Sequence, residues 1–217
     1  MTSTAIAPSD TEPAAFHYDA YRFTDPERVD AIVDSFPLAL VLSGDGAFAT
    51  HVPLFRLPGS RSLIGHVDAA NPQFAGKMRF PARIVFTGPD SYIPPEAYVT
   101  RQLPTWNYVA VHISGIVEVC DDPAVKLDVL RETVARLQPD DAPYQFDAHD
   151  TRVQRFAPHI LALQVRVEHE EARIKLSQDK CPDDQRAALE HLLAVRARSP
   201  RKLLETFLPP KELPPHA

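Results

Sequence analysis

The feature that most constrains this chain is a run of short apolar segments between residues 38 and 119, each bounded by turn residues. Leu38-Ala-Leu-Val-Leu is followed by Gly44-Asp-Gly46 and then by Ala47-Phe-Ala-Thr-His-Val-Pro-Leu-Phe. Two such runs around a glycine-rich turn predict a β-hairpin. Pro58-Gly-Ser turns the chain again, and Ser62-Leu-Ile-Gly-His-Val reads as a third strand. Ala82-Arg-Ile-Val-Phe-Thr reads as a fourth, ended by Gly88-Pro89. Thr105 to Val119 supplies one long strand or two, with Gly115 as a bulge. Ile160 to Val167 adds another, and Ala172 to Leu176 returns. Closely spaced strands of this kind favour a closed antiparallel barrel over a parallel sheet.

Helical signals fall around the strands. Thr24-Asp-Pro-Glu-Arg places a capping residue before a proline, so a helix is expected through Val29, Ile32 and Val33, stopping before Pro37. Asp122-Pro opens a second helix over about 124–137, and Thr151 to Phe156 reads as a short third. Asp183 to Arg198 reads as a fourth. Asn71-Pro-Gln-Phe-Ala-Gly-Lys reads as a short helix start. The stretch from Asp90 to Pro104 is expected to be a loop, and loops of that length in compact domains are usually functional. The resulting fold class is α+β, with residues 1–15 as an arm, 16–198 as the domain and 199–217 as a proline-rich tail.

Composition excludes several classes. The net charge is −6, and no Lys/Arg run forms the concentrated basic face that nucleic-acid binding requires. Arg196, Arg198, Arg201 and Lys202 read as a solvated helix face. Cys120 and Cys181 do not make a disulfide framework or a zinc site. Met1 to Asp10 lacks the pattern of a secretory signal, and no apolar run approaches a membrane span, so a cytoplasmic protein is expected. There is no glycine-rich phosphate loop and no Gly-x-Ser-x-Gly elbow.

What remains is a set of polar residues inside predicted strands. His51, His66 and His112 lie on separate strands. Each alone reads equally as a core or interface histidine with satisfied nitrogens. Together they suggest a cofactor pocket between His51 and His112, because a neutral imidazole ligates iron and exchanges protons near neutral pH. Their spacing does not fit a chelating zinc motif, so a metal would come inside an organic cofactor held by one axial ligand. Trp106, if not core packing, would wall a flat cofactor with Tyr108, and Asn107 would hydrogen-bond it. Lys175 and Ser177 read either as an exposed turn or as a grip on a phosphate or carboxylate.

Several blocks then resemble one family. Pro37-Leu-Ala, His51-Val-Pro, Gly65-His-Val-Asp-Ala-Ala-Asn-Pro-Gln-Phe, Phe86-Thr-Gly-Pro-Asp-Ser-Tyr-Ile, Pro104-Thr-Trp-Asn-Tyr-Val-Ala-Val-His and Lys175-Leu-Ser-Gln are similar, in the same order, to PaiB-like proteins. These are known as FMN-binding transcriptional regulators. The resemblance implies a split β-barrel with peripheral helices, and a homodimer with cofactor sites near the subunit interface.

The loop Tyr92-Ile-Pro-Pro-Glu-Ala-Tyr98 stands where family members usually read Tyr-Ile-Ser-Pro-Ser-Trp-Tyr. This departure suits a changed ligand. One branch that looks like PaiB, the piperazate synthases, carries haem b and closes N5-hydroxy-L-ornithine into L-piperazate. On that reading His66 is the expected axial ligand to iron, with His51 as the alternative, because each lies on a strand next to the proposed cofactor wall. His66, His51, Trp106, Asn107, Tyr108, His112 and Ser177 would hold the cofactor. Lys175, Arg101 and Glu96 would grip the amino-acid substrate. The alternatives are an FMN-binding regulator and an FMN-dependent oxidoreductase on the same barrel.

Overall fold

In the computed structural model, residues 18–44, 46–139 and 141–197 are described. The arm 1–15 and the tail 199–217 lie outside the described residues.

Seven strands form one antiparallel sheet: β1 (Arg22–Phe23), β2 (Leu38–Ser43), β3 (Phe48–Arg56), β4 (Leu63–Asp68), β5 (Arg79–Ile93), β6 (Thr105–Cys120) and β7 (Ile160–Lys175). Their order is β1-β7-β4-β3-β2-β5-β6, and β6 pairs back onto β7. That last pairing closes six strands into a barrel and leaves β1 on the side of β7. The α+β split-barrel expectation is met.

Alternation decides what fills the barrel. On β6, Asn107, Val109, Val111, Ile113 and Val117 point inward and are buried, while Trp106, Tyr108, His112 and Ser114 point outward. Val41, Leu54, Ile84, Phe86 and Leu163 meet them in the core. One end is closed by the Asn-Pro-Gln segment. Phe74 is fully buried, and the Gln73 amide donates to Val41 O (3.1 Å) and Ser43 Oγ (3.0 Å). Gln73 Oε1 also accepts from Thr50 Oγ1 at 2.6 Å. This segment is a series of turns, not the expected helix start: its side-chain amides satisfy the backbone instead of leaving it to helical bonding.

The helices sit at the periphery. α1 (Pro26–Ser35) is capped by Asp25, whose carboxylate accepts from Arg28 N, and it ends before Pro37 as expected. α2 (Pro123–Leu137) is capped by Asp122 and packs on β4 and β7. α3 (Thr151–Phe156) is short, and α4 (Pro182–Ala197) packs on β5. Among the described residues, no helix is long and apolar enough to cross a membrane.

Two boundaries differ from the sequence reading. β5 does not stop at Gly88-Pro89. A register shift between Thr87 and Asp90 absorbs the proline, and the strand continues to Ile93. Such a bulge tolerates a missing donor. β7 is one strand of 16 residues, not a strand and its return, because β4, β6 and β1 all pair along it. The expected bulge at Gly115 is present, and a Cβ there would collide with Arg166 O.

Candidate functional site

Gly65 fixes the geometry of the first site. A Cβ at this position would run into Pro53 O and lie 2.8 Å from Leu54 Cδ2, so only glycine lets β4 lie this close to β3. Gly65 faces the core, so its neighbour His66 faces outward, beside Ala162 of β7. Above His66, α2, α3 and the intervening loop line an open pocket of about 490 Å³. Its walls are largely apolar: Leu130 and Val134 from α2, Phe146 from the loop, and Val153, Phe156 and Ile160 beyond it. The half-buried imidazole forms the floor. Burial holds the His66 pKa below the ordinary histidine value, so the ring is neutral at physiological pH. Among the described residues neither ring nitrogen makes a hydrogen bond. A neutral imidazole with a free lone pair, at the base of an apolar cavity, is suited to one coordinate bond. No three His, Cys, Asp or Glu side chains among the described residues gather as a metal-ion site.

His51 and His112 are elsewhere. The exposed His51 of β3 pairs with Leu40 of β2, Leu40 with Val85 of β5, Val85 with His112 of β6, and His112 with Glu171 of β7. These residues form one row across the outer face of the sheet. His112 is half-buried, and burial lowers its pKa. Arg83 adds to the shift, and Glu171 opposes it. Glu171 in turn accepts from Arg22 Nε at 2.9 Å and pairs with Arg173. The three histidines therefore do not converge. His66 lies under α2 and α3, while His51 and His112 share a face that carries the half-buried Leu40, Leu42 and Val85 and the exposed Leu38.

The Trp106–Tyr108 wall with a bonding Asn107 is also corrected, because strand alternation puts Asn107 on the other side. Its amide is fully buried. Nδ2 donates to Ser177 Oγ at 3.0 Å, and Oδ1 accepts from the same hydroxyl at 3.2 Å. Tyr98 OH lies 3.2 Å from Ser177 Oγ. Ser177 is held in the left-handed region at φ 57°, uncommon for a residue with a side chain, and this buried triad offsets the strain. Asn107 and Ser177 thus join the end of β7 to the 94–104 loop, and their polar atoms face each other. Trp106 is exposed, donates to Asp90 Oδ1 at 3.2 Å and tilts against Tyr92 at 6.3 Å between centroids. Half-buried Tyr108 stands beside Lys175.

The proposed substrate grip is not gathered at His66 either. Lys175 donates to Thr105 Oγ1 at 2.7 Å, thirteen positions along β7 from Ala162, the neighbour of His66. At ~3.3 Å per residue this is on the order of 40 Å of strand. Arg101 and Glu96 are both exposed on the 94–104 loop, at the Lys175 end. That loop is pinned by a residue the sequence reading missed. Asp184, in the first turn of α4, accepts from Thr100 N (2.8 Å), Thr100 Oγ1 (2.5 Å) and Gln102 Nε2 (2.9 Å). These bonds hold its pKa down at about 2. The cavity residues Leu130, Val134, Tyr144, Phe146 and Phe156 were also missed as site residues. The aromatic pair in an otherwise acidic loop was the available signal.

Comparison with known proteins follows this geometry. The family model described as a putative FMN-binding domain matches residues 16–169. The protease synthase and sporulation protein PAI 2 of Bacillus subtilis (strain 168) is 28% identical over 183 residues, spanning 79% of this chain and 86% of that protein. Among solved structures, the flavocytochrome Anf3 from Azotobacter vinelandii superposes with a TM-score of 0.59 at 22% identity, over 78% of this chain and 75% of that one. The FAD and heme binding protein from Mycobacterium smegmatis superposes at 0.58 and 22%, over 77% and 80%. At these identities the two structures attest the fold.

Proposed function

We propose, from the premise that this chain belongs to the putative FMN-binding domain family, that it is a haem-dependent piperazate synthase built on the family's barrel. The carrying observation is His66: a neutral, unpartnered imidazole at the floor of an apolar cavity of about 490 Å³. This donor set would suit haem b, whose iron takes an imidazole nitrogen and whose flat ring packs on apolar and aromatic side chains. Of two proteins with the same fold, one is named an FAD and heme binding protein and the other a flavocytochrome, which is in keeping with the reading.

The reaction closes N5-hydroxy-L-ornithine to L-piperazate. A bond forms between the α-amine nitrogen and N5, the N5–O bond breaks, and the hydroxyl leaves with the amine's proton as water. No external oxidant or reductant is needed. Haem, when bound, supplies a Lewis-acidic iron at the hydroxylamine end. The chain's own part is threefold. His66 would hold the iron through a ring nitrogen and tune its chemistry. Leu130, Val134, Phe146 and Phe156 would pack on the flat ring and lower the local polarity around the reacting end. The cavity folds the substrate so that its two nitrogens meet. Among the described residues, no helix lines the outer sheet face that carries Leu38, Leu40, Leu42 and Val85, which suits a homodimer.

Expression with haem supply, followed by an absorption spectrum, tests the reading. A Soret band is expected in the wild type and should be lost in His66→Ala. A wild-type protein without that band sinks it. A second reading, an FMN-binding module or FMN-dependent oxidoreductase, is favoured by the family match over residues 16–169. It predicts a flavin spectrum in the purified protein instead.

A further inference from the structure

The His66 cavity is chemically lopsided: apolar walls, a neutral nitrogen base at the floor, and all its charge at the rim. The rim consists of Tyr144, Asp150 and Arg152. Asp150 caps α3 through a bond from Arg152 N (2.8 Å) and accepts from the same residue's side chain, Nε at 3.1 Å and NH2 at 2.5 Å. The guanidinium is thus fixed by a two-point hold on one edge. Its NH1 donates no hydrogen bond among the described residues. Tyr144 lines the same mouth, and its hydroxyl likewise makes no hydrogen bond among the described residues. Two donors, the exposed guanidinium braced by Asp150 and the Tyr144 phenol, therefore both line the mouth of a pocket whose remaining lining is mostly hydrocarbon.

We infer that Arg152 and Tyr144 form the carboxylate grip of this cavity, receiving the acidic end of a ligand whose body lies on the aromatic walls and whose other side meets His66. The inference rests on the haem reading above. It replaces Lys175 and Arg101, which the fold places at the far end of β7. A fixed guanidinium edge and a phenol are complementary to a planar carboxylate. Two carboxylates would fit this chemistry: a haem propionate, or the α-carboxylate of an amino acid bound beside the haem. Asp150 keeps the pair close to neutral, so the grip works through directed hydrogen bonds more than through long-range attraction.

The test is hemin titration of the full-length protein followed by the Soret band, on wild type, Arg152→Gln, Arg152→Lys and Tyr144→Phe, with circular dichroism to confirm folding. If a propionate is held, Arg152→Gln weakens hemin binding about three- to tenfold with the Soret maximum unmoved. Arg152→Lys recovers part of the loss, and hemin dimethyl ester binds wild type and variant alike. If the amino acid's carboxylate is held, hemin affinity is unchanged. The midpoint of the spectral change caused by N5-hydroxy-L-ornithine then shifts by a similar factor. Unaltered affinity for both ligands in folded Arg152→Gln and Tyr144→Phe overturns the grip and leaves the His66 reading standing. A wild type that does not shift the hemin spectrum overturns the His66 reading, and the grip with it.

Discussion

The substitution Gly65→Ala puts the architecture of the site to a sharp test. A methyl at this position would penetrate Pro53 O and sit 2.8 Å from Leu54 Cδ2, where ordinary contact begins at 3.4 Å. The backbone oxygen cannot rotate away, so β3 and β4 must separate by about 1 Å. Three registered pairs hold them together, Leu54 with Gly65, Phe55 with Ile64 and Arg56 with Leu63. Overpacking of this kind costs about 1–3 kcal/mol, and a weakened ladder bond adds up to ~1 kcal/mol. At roughly 2–4 °C per kcal/mol for a chain of this size, the melting temperature should fall by about 2–16 °C. Gly59→Ala is the control. It has φ +70° but nothing within 4 Å, so it should lose only the ~1 kcal/mol of left-handed strain, roughly 2–4 °C. The assay is thermal unfolding by circular dichroism on the three proteins side by side. A Gly65→Ala protein that melts within about 1 °C of wild type, or no lower than Gly59→Ala, would refute the close-approach argument and the placement of His66 built on it.

Further outcomes follow from other residues. Phe74→Ala should destabilise by about 3–5 kcal/mol in urea titration, because this fully buried ring seals the barrel end. Asn107→Ala should cost about 1–3 kcal/mol, since it strands the Ser177 hydroxyl in a buried setting; an unfolding midpoint like that of the wild type would contradict the triad. The Asp184 carboxyl has a folded pKa of about 2, below its unfolded value, so its contribution is fully present above the unfolded pKa and is lost as pH falls through about 2. Acid unfolding followed by tyrosine and tryptophan fluorescence should show this dependence in wild type and lack it in Asp184→Asn. The His66 pKa is depressed by burial, so the unfolded chain binds the extra proton first. Stability is therefore present above the unfolded histidine pKa and declines as pH falls through the folded one, and His66→Phe should flatten that slope in pH-dependent urea melts.

The hairpin of β2 and β3, the glycine-bounded β4 and the capped helices were legible because each rests on local chemistry: turn glycines, alternation, and Asp-Pro at helix starts. The unbroken β7 was not, since its continuity depends on three partner strands that no local window contains. The same distinction runs through the site. His66 stood out as a histidine in a strand. That it lies apart from His51 and His112 is a matter of which strand face is roofed by α2 and α3. Asn107 was misplaced because residues 106–108 were read as a unit, whereas a strand sends its middle residue to the opposite side. Asp184 passed unnoticed because an acidic first turn is ordinary for a helix. Only the approach of Thr100 and Gln102 turns it into an anchor.

The barrel's closing strand is also the last to be made. β7 begins at Ile160 and is needed by β1, β4 and β6, whose residues are synthesised long before it. During translation, β4 and β6 emerge with one edge each unsatisfied, and the barrel cannot close until roughly residue 175 has left the ribosome. Folding of this kind is dominated by non-local pairing and is correspondingly slow. A nascent chain stalled within α2 or α3 would present two open sheet edges and an unsealed apolar interior, the species on which chaperones act and from which aggregates grow.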